Sequence, residues 1–171
     1  MKRVGFIGLG RMNGMLARGF LSSGALCPGQ TGICTRTMER TADLAFAYPG
    51  ITRFDRNQDL AAWADLLIIG VRPLDLPGVL HEIRDVQGGD IHIVSLAACV
   101  RIAEMAAIHP GRISRIFPSL CATVQEGISL CTHQETVTGD EAAFIEELFS
   151  SVSQVVPVRE EEFEVAGDLM S

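Results

Sequence analysis

Lysine is almost missing from this 171-residue chain: Lys2 is the single one, and arginine carries the rest of the positive charge. No later position can therefore supply a catalytic lysine. A basic cluster is missing too. The net charge is −7 and the arginines are scattered, which argues against nucleic-acid binding through a phosphate-tracking patch. No apolar run reaches the roughly 18 residues of a membrane helix; the longest, Leu66 to Val71, has strand length. The sequence enters its first strand almost at once, so no cleavable leader and no membrane partner are expected. The five cysteines (Cys27, Cys34, Cys99, Cys121, Cys131) are an odd count without paired metal-ligand spacing. Most read as small buried thiols, so a cytoplasmic protein without a metal site is expected. Internal repeats and low-complexity segments are lacking. No serine has a histidine and a carboxylate at recognisable spacing. His81 on a helix, His92 within a strand, His109 before Pro110 and His133 on a loop read as solvated or structural. Glu146 and Glu147 read as a solvated helix face.

What is abundant is apolar: 47% of residues, with a mean hydropathy of +0.26. That suits buried parallel strands, covered on both faces. Val4, Phe6 and Ile7 form such a strand, which enters Gly8-Leu9-Gly10. Beyond Gly10, Met12, Leu16 and Phe20 recur four apart, as on one face of a helix. Strand, glycine turn and helix together make an anion site. The helix N-terminus offers unpaired N–H groups and partial positive charge, and glycines let a diphosphate approach the backbone. This is the dinucleotide-binding fingerprint in its proper context. Its third small position is occupied by Asn13, where Gly or Ala would allow close helix–strand packing.

The alternation continues along the chain. Strands are expected near 31–35, 51–54, 65–71, 91–96 and 113–117, the last stopped by Pro118. Helices fall between them: from an N-cap at Thr37 to Tyr48, from Asn57 to Trp63, through Leu76, Val79, Leu80 and Ile83, and from Ile102 to Ala107. Such order predicts an α/β fold, a doubly wound, mostly parallel Rossmann-type sheet with six strands in the order 3-2-1-4-5-6. A seventh strand (127–131), a helix (139–151) and an eighth strand (155–158) extend the sheet edge, where an antiparallel strand can be accommodated. The acidic run at Glu160 opens another helix that the sequence does not finish. Residues 1–160 form the dinucleotide-binding domain, and 161–171 start a linker helix.

In the NAD form of the motif, an acid at the end of the second strand binds the ribose 2′-OH. Here that place reads Cys34-Thr35-Arg36-Thr37. Arg36 can grip a 2′-phosphate with its planar fork, with Thr35 and Thr37 donating hydroxyls, so NADP(H) is expected over NAD(H).

With these pieces placed, the chain resembles the N-terminal domain of pyrroline-5-carboxylate reductase, an NAD(P)H-dependent enzyme of proline synthesis. Gly5-Phe6-Ile7-Gly8-Leu9-Gly10-Arg11-Met12 and Leu16-Ala17-Arg18-Gly19 are close to that family's GFIGxGxM and LARG. Val71-Arg72-Pro73-Leu74-Asp75-Leu76-Pro77-Gly78-Val79-Leu80 is similar to its VKPQDLPEVL. Ser95-Leu96-Ala97-Ala98-Cys99-Val100 looks like SIAAGV, and Glu146-Glu147-Leu148-Phe149 like EELF. The resemblance implies that Gly8, Leu9, Gly10, Arg11, Met12 and Asn13 bind the pyrophosphate, and Thr35, Arg36 and Thr37 the 2′ side. Asn57 would lie near the adenine ribose, and Val71, Arg72, Pro73, Ala97 and Ala98 along the nicotinamide. It further implies hydride transfer from NADPH to an imine, and a parent homodimer or higher homo-oligomer built by a C-terminal helical domain that opens with SGSGPA and lies beyond this sequence. The piece alone would then bind NADPH but turn over little substrate.

Two departures stand out. Asn13 replaces the family's usual Ala, and Phe117-Pro118-Ser119-Leu120-Cys121 replaces MPNTP, leaving Ser119 as a possible polar group on the substrate side. The altered segment keeps open a non-catalytic NADP(H)-sensing module. A β-hydroxyacid dehydrogenase relative is the other alternative, since Ile7 to Met12 also fits that family's GLGxMG; the missing lysine and GGxxG segment count against it.

Overall fold

The computed structural model describes residues 2–36, 38–118 and 127–163. Thr37, Ser119, Cys121 and the segment beyond Phe163 lie outside them. Eight strands form one sheet: β1 (Val4–Ile7), β2 (Thr31–Cys34), β3 (Thr52–Phe54), β4 (Leu66–Ile69), β5 (His92–Ser95), β6 (Ile113–Pro118), β7 (Gly127–His133) and β8 (Ser153–Pro157). Their order is β3-β2-β1-β4-β5-β6-β7-β8, so the expected six-strand order holds. Pairing is parallel from β3 to β6. It turns antiparallel at β6–β7 and is parallel again at β7–β8.

Alternation along the strands sorts side chains onto two faces. Val4, Phe6, Leu66, Ile68, Val94 and Ile116 pack with α1 (Arg11–Ser22), α2 (Met38–Ala47) and α6 (Gly139–Ser150). Ile7, Leu67, Ile69, Ile93 and Ile113 face α3 (Asn57–Trp63), α4 (Leu76–Ile83) and α5 (Ile102–Ala106). Helices on both faces explain why every residue of β1, β4 and β5 is buried, His92 and Ser95 of β5 included. Phe20 of α1 anchors the first core, edge-on to Phe149 of α6 at 5.1 Å. Gly5 and Gly32 stand side by side on β1 and β2. A Cβ at Gly32 would meet Leu60 at 2.7 Å and Trp63 at 2.6 Å, so their smallness lets α3 lie tight against the sheet.

Some expectations need correction. The seventh strand runs on to His133, so that residue ends a strand and is not on a loop. The eighth begins at Ser153, whose Oγ lies 2.6 Å from Ser129 Oγ in β7. Pro118 is the last residue of β6 and not a stop before it. Of the cysteines, Cys34 and Cys131 are buried, but Cys27 and Cys99 are exposed; Cys121 is outside the described residues. His92 and His109 are buried. Residues 160–163 begin the helix expected there. Among the described residues, no helix is long and apolar enough to cross a membrane.

Candidate functional site

β1 and β4 lie at the centre of the sheet, where the chain leaves β1 toward one edge and returns at β4 toward the other. Ligands of open α/β sheets sit above the carboxyl ends of strands at such a switch point. A groove of about 730 Å³ opens there. It brings together Gly8 and Gly10 from the first turn, Thr35 and Arg36 after β2, Asn57 at the start of α3, and Val71 and Arg72 after β4. These are seven of the residues singled out in the sequence.

The turn is shaped for a diphosphate. Gly8 has φ +77°, in the left-handed region that glycine adopts without penalty. Its N–H donates to Cys34 O at 2.8 Å, which ties the turn to the end of β2. A Cβ there would stand 2.9 Å from Val71 Cγ1. Gly10 caps α1 through extended backbone, with no side-chain oxygen on the first amides and no acid in the first turn. Those N–H groups, which have no partner within the helix, follow directly on Gly10, which lines the groove, with the positive end of the helix dipole behind them. The residues present thus fit a dinucleotide's diphosphate.

Leu9 is buried and Met12 packs against the core, so only their backbone can face a ligand. The Arg11 side chain is exposed. Asn13 does something the sequence does not suggest. Its side chain, 1% exposed, turns away from the groove and under the turn. Nδ2 donates to Ile7 O at 3.1 Å, Gly8 O at 3.0 Å and Ile68 O at 3.3 Å, joining the ends of β1 and β4. Room for it exists because residue 70 is glycine: a Cβ at Gly70 would lie 2.5 Å from Asn13 Cβ.

At the end of the groove beyond β2, Arg36 is exposed and donates to Asp75 Oδ2 at 3.3 Å. Arg72 reaches the same carboxylate at 2.9 Å. Asp75 therefore joins the two arginines, and the Arg72 hydrogen bond is the chief cause that holds its carboxyl below the ordinary range. Asn57 donates to Glu82 Oε2 at 2.7 Å. Burial first, then Asp55, Glu82 and Asp59, push the Cys34 thiol up. Neither Asp75 nor Glu82 was singled out as a site residue in the sequence, because Arg36 and Asn57 meet them only across the fold.

Pro73, Ala97 and Ala98 do not line this groove. Pro73 is exposed just after β4, and Ala97 and Ala98 follow β5, the next strand. In that loop Cys99, which stands where SIAAGV has glycine, takes φ +62°. It is the one non-glycine residue with positive φ among those described.

Residues 3–99 match the family model described as NADP oxidoreductase, coenzyme F420-dependent. The chain is 30% identical over 161 residues to pyrroline-5-carboxylate reductase of Escherichia coli (strain K12), covering 93% of this chain and 60% of that protein. The structure of a pyrroline-5-carboxylate reductase from Coxiella burnetii superposes with a TM-score of 0.93 at 24% identity, over 99% of this chain and 64% of that one. That of Plasmodium falciparum pyrroline carboxylate reductase with NADP bound gives 0.88 at 18% identity, over 99% and 62%. The chain thus spans 60% of the length of the first of these relatives. At such identities the two structures speak for the fold.

Proposed function

We propose a definite task for a chain that belongs to the pyrroline-5-carboxylate reductase family, as its N-terminal NAD(P)-binding domain: it holds NADPH so that hydride passes to the carbon of a C=N bond. When bound, the reduced nicotinamide supplies the hydride. The protein's part is to bind and orient. Gly8 and Gly10 let the diphosphate approach the backbone, and the first amides of α1 donate to it. Val71, Arg72, Pro73, Ala97 and Ala98, past the carboxyl ends of β4 and β5, border the nicotinamide half. Residues 1–160 are the cofactor domain on this reading. Residues 161–171 lead toward a helical domain that pairs two copies and completes the imine pocket, with Ser119 as a polar group on the substrate side.

The observation that carries the choice of NADP(H) is Arg36. It follows β2, lines the same groove as the glycine turn, and no acid occupies the place that would select the 2′-OH. Its present partner, Asp75, keeps Arg72 when Arg36 swings to a phosphate. A charge-assisted hydrogen bond is worth about 1.5–3 kcal/mol, roughly tenfold to a hundredfold in affinity. Calorimetric titration with NADPH and NADH side by side tests this. Arg36→Glu should weaken NADPH by at least about tenfold and leave NADH nearly unchanged. Equal losses for the two cofactors would show that Arg36 does not read the phosphate.

A further inference from the structure

At the opposite end of the sheet from the groove, three side chains from two elements converge. Cys131 and His133 lie two apart on β7 and so share one face of the strand. Glu146, on α6, comes down over that face. Sγ of Cys131, a ring nitrogen of His133 and a carboxylate oxygen of Glu146 all lie within 4.8 Å of one another. We propose that Cys131, His133 and Glu146 bind a divalent transition metal, Zn²⁺ by preference, pinning α6 to β7.

The donor set is the first argument. Thiolate, imidazole and carboxylate together suit Zn²⁺ or Co²⁺ and disfavour Mg²⁺ or Ca²⁺, which take oxygen. Geometry is the second. Tetrahedral Zn²⁺ places an imidazole nitrogen and a carboxylate oxygen about 3.3 Å apart, from bond lengths of about 2.05 Å; His133 Nε2 and Glu146 Oε1 are 3.3 Å apart. At that separation Nε2 still makes no hydrogen bond, although it is buried.

The third argument is the support behind the imidazole. His133 Nδ1 lies 2.7 Å from Ser114 Oγ, which lies 2.9 Å from Nε2 of the buried His92. A metal-binding histidine is commonly held by such a partner on its other nitrogen, which fixes the ring and aims the free lone pair. Cys131 is fully buried. Binding displaces the thiol proton to water as the metal–sulfur bond forms. The half-exposed Glu146 leaves the fourth position open to a water on its side.

The test is a Co²⁺ titration of the full chain, reduced beforehand with a phosphine that does not chelate, followed by competition with Zn²⁺. One equivalent of Co²⁺ should produce a thiolate-to-cobalt charge-transfer band in the near ultraviolet. One equivalent of Zn²⁺ should erase it and raise Tm. Cys131→Ser should abolish the band. Glu146→Gln, on a helix surface where folding is not at risk, should weaken Zn²⁺ binding by at least tenfold, and Ser114→Ala by about tenfold through loss of ring orientation. The absence of any saturable band in the unaltered chain overturns the proposal. So does a band that survives Cys131→Ser, or Glu146→Gln binding as tightly as the parent.

Discussion

Replacing Gly70 with alanine probes how the Gly8–Gly10 turn is held in place. The new Cβ would lie 2.5 Å from Asn13 Cβ, 2.7 Å from its Cγ and 2.9 Å from its Nδ2, far inside van der Waals contact. Neither side yields easily. Asn13 is fixed by the three carbonyls it joins, and the Gly70 N–H donates to Ile7 O at 2.9 Å. The first turn of α1 has to back away from the sheet, stretching those bonds. Overpacking costs about 1–3 kcal/mol and a weakened buried hydrogen bond about 1 more, so Gly70→Ala should lose about 2–4 kcal/mol. It should also weaken cofactor binding, because the displaced amides follow directly on Gly10, which lines the groove. Asn13→Gly removes every side-chain atom in the clash. On its own it loses the Nδ2 bonds and adds a helical glycine, about 1 kcal/mol each, partly offset because the buried Oδ1, which has no partner, disappears with it. In the double variant the alanine methyl enters vacated space. Its penalty should fall below about 1 kcal/mol, a coupling energy of about 2 kcal/mol. Urea unfolding of the parent, both single variants and the double variant measures this, with NADPH titration of each. Energies that add to within about 0.5 kcal/mol would refute the claim that Asn13 fills the space Gly70 leaves.

Cys99→Gly should stabilise the chain by about 0.5–1 kcal/mol, since the left-handed conformation costs other residues about 1–2 kcal/mol and glycine's extra chain entropy returns part of that; an unchanged or lowered Tm would contradict it. Burial holds the His92 imidazole down to about 4. The unfolded chain, with a histidine near 6.5, therefore binds a proton that the folded chain refuses, so stability is lost as pH falls from 6.5 toward 4. The loss from this residue between pH 7 and pH 5 is about 2 kcal/mol, and His109, also pushed down by burial, adds in the same direction. Urea unfolding across that range should show the slope, and His92→Gln should flatten it; a slope unchanged in the variant would exclude His92 as its source.

The central sheet was legible because β1 and β4 are short apolar runs ending at glycines, and their burial on both faces is the reason. Arg36 was legible as a groove residue because it follows a strand whose position the fold dictates, and Asn57 because of the family resemblance. Asn13 was not. Local pattern asks for a small residue there, and what makes room for a large one is Gly70, at the end of another strand. Asp75 was not singled out as a site residue because an aspartate at the start of a helix has a local explanation, and only the fold brings Arg36 to it. The ends of β7 and β8 were misjudged because Ser114, Ser129, His133 and Ser153 are polar residues that pair across strands, a stabilisation with no apolar signature.

A crystal of the chain grown with NADPH tests the central claim most directly. The diphosphate should lie over Gly8 and Gly10 against the first amides of α1, with Arg36 turned from Asp75 to the 2′-phosphate. An empty turn in crystals that hold NADPH elsewhere, or a cofactor whose 2′-phosphate lies away from Arg36, would contradict it.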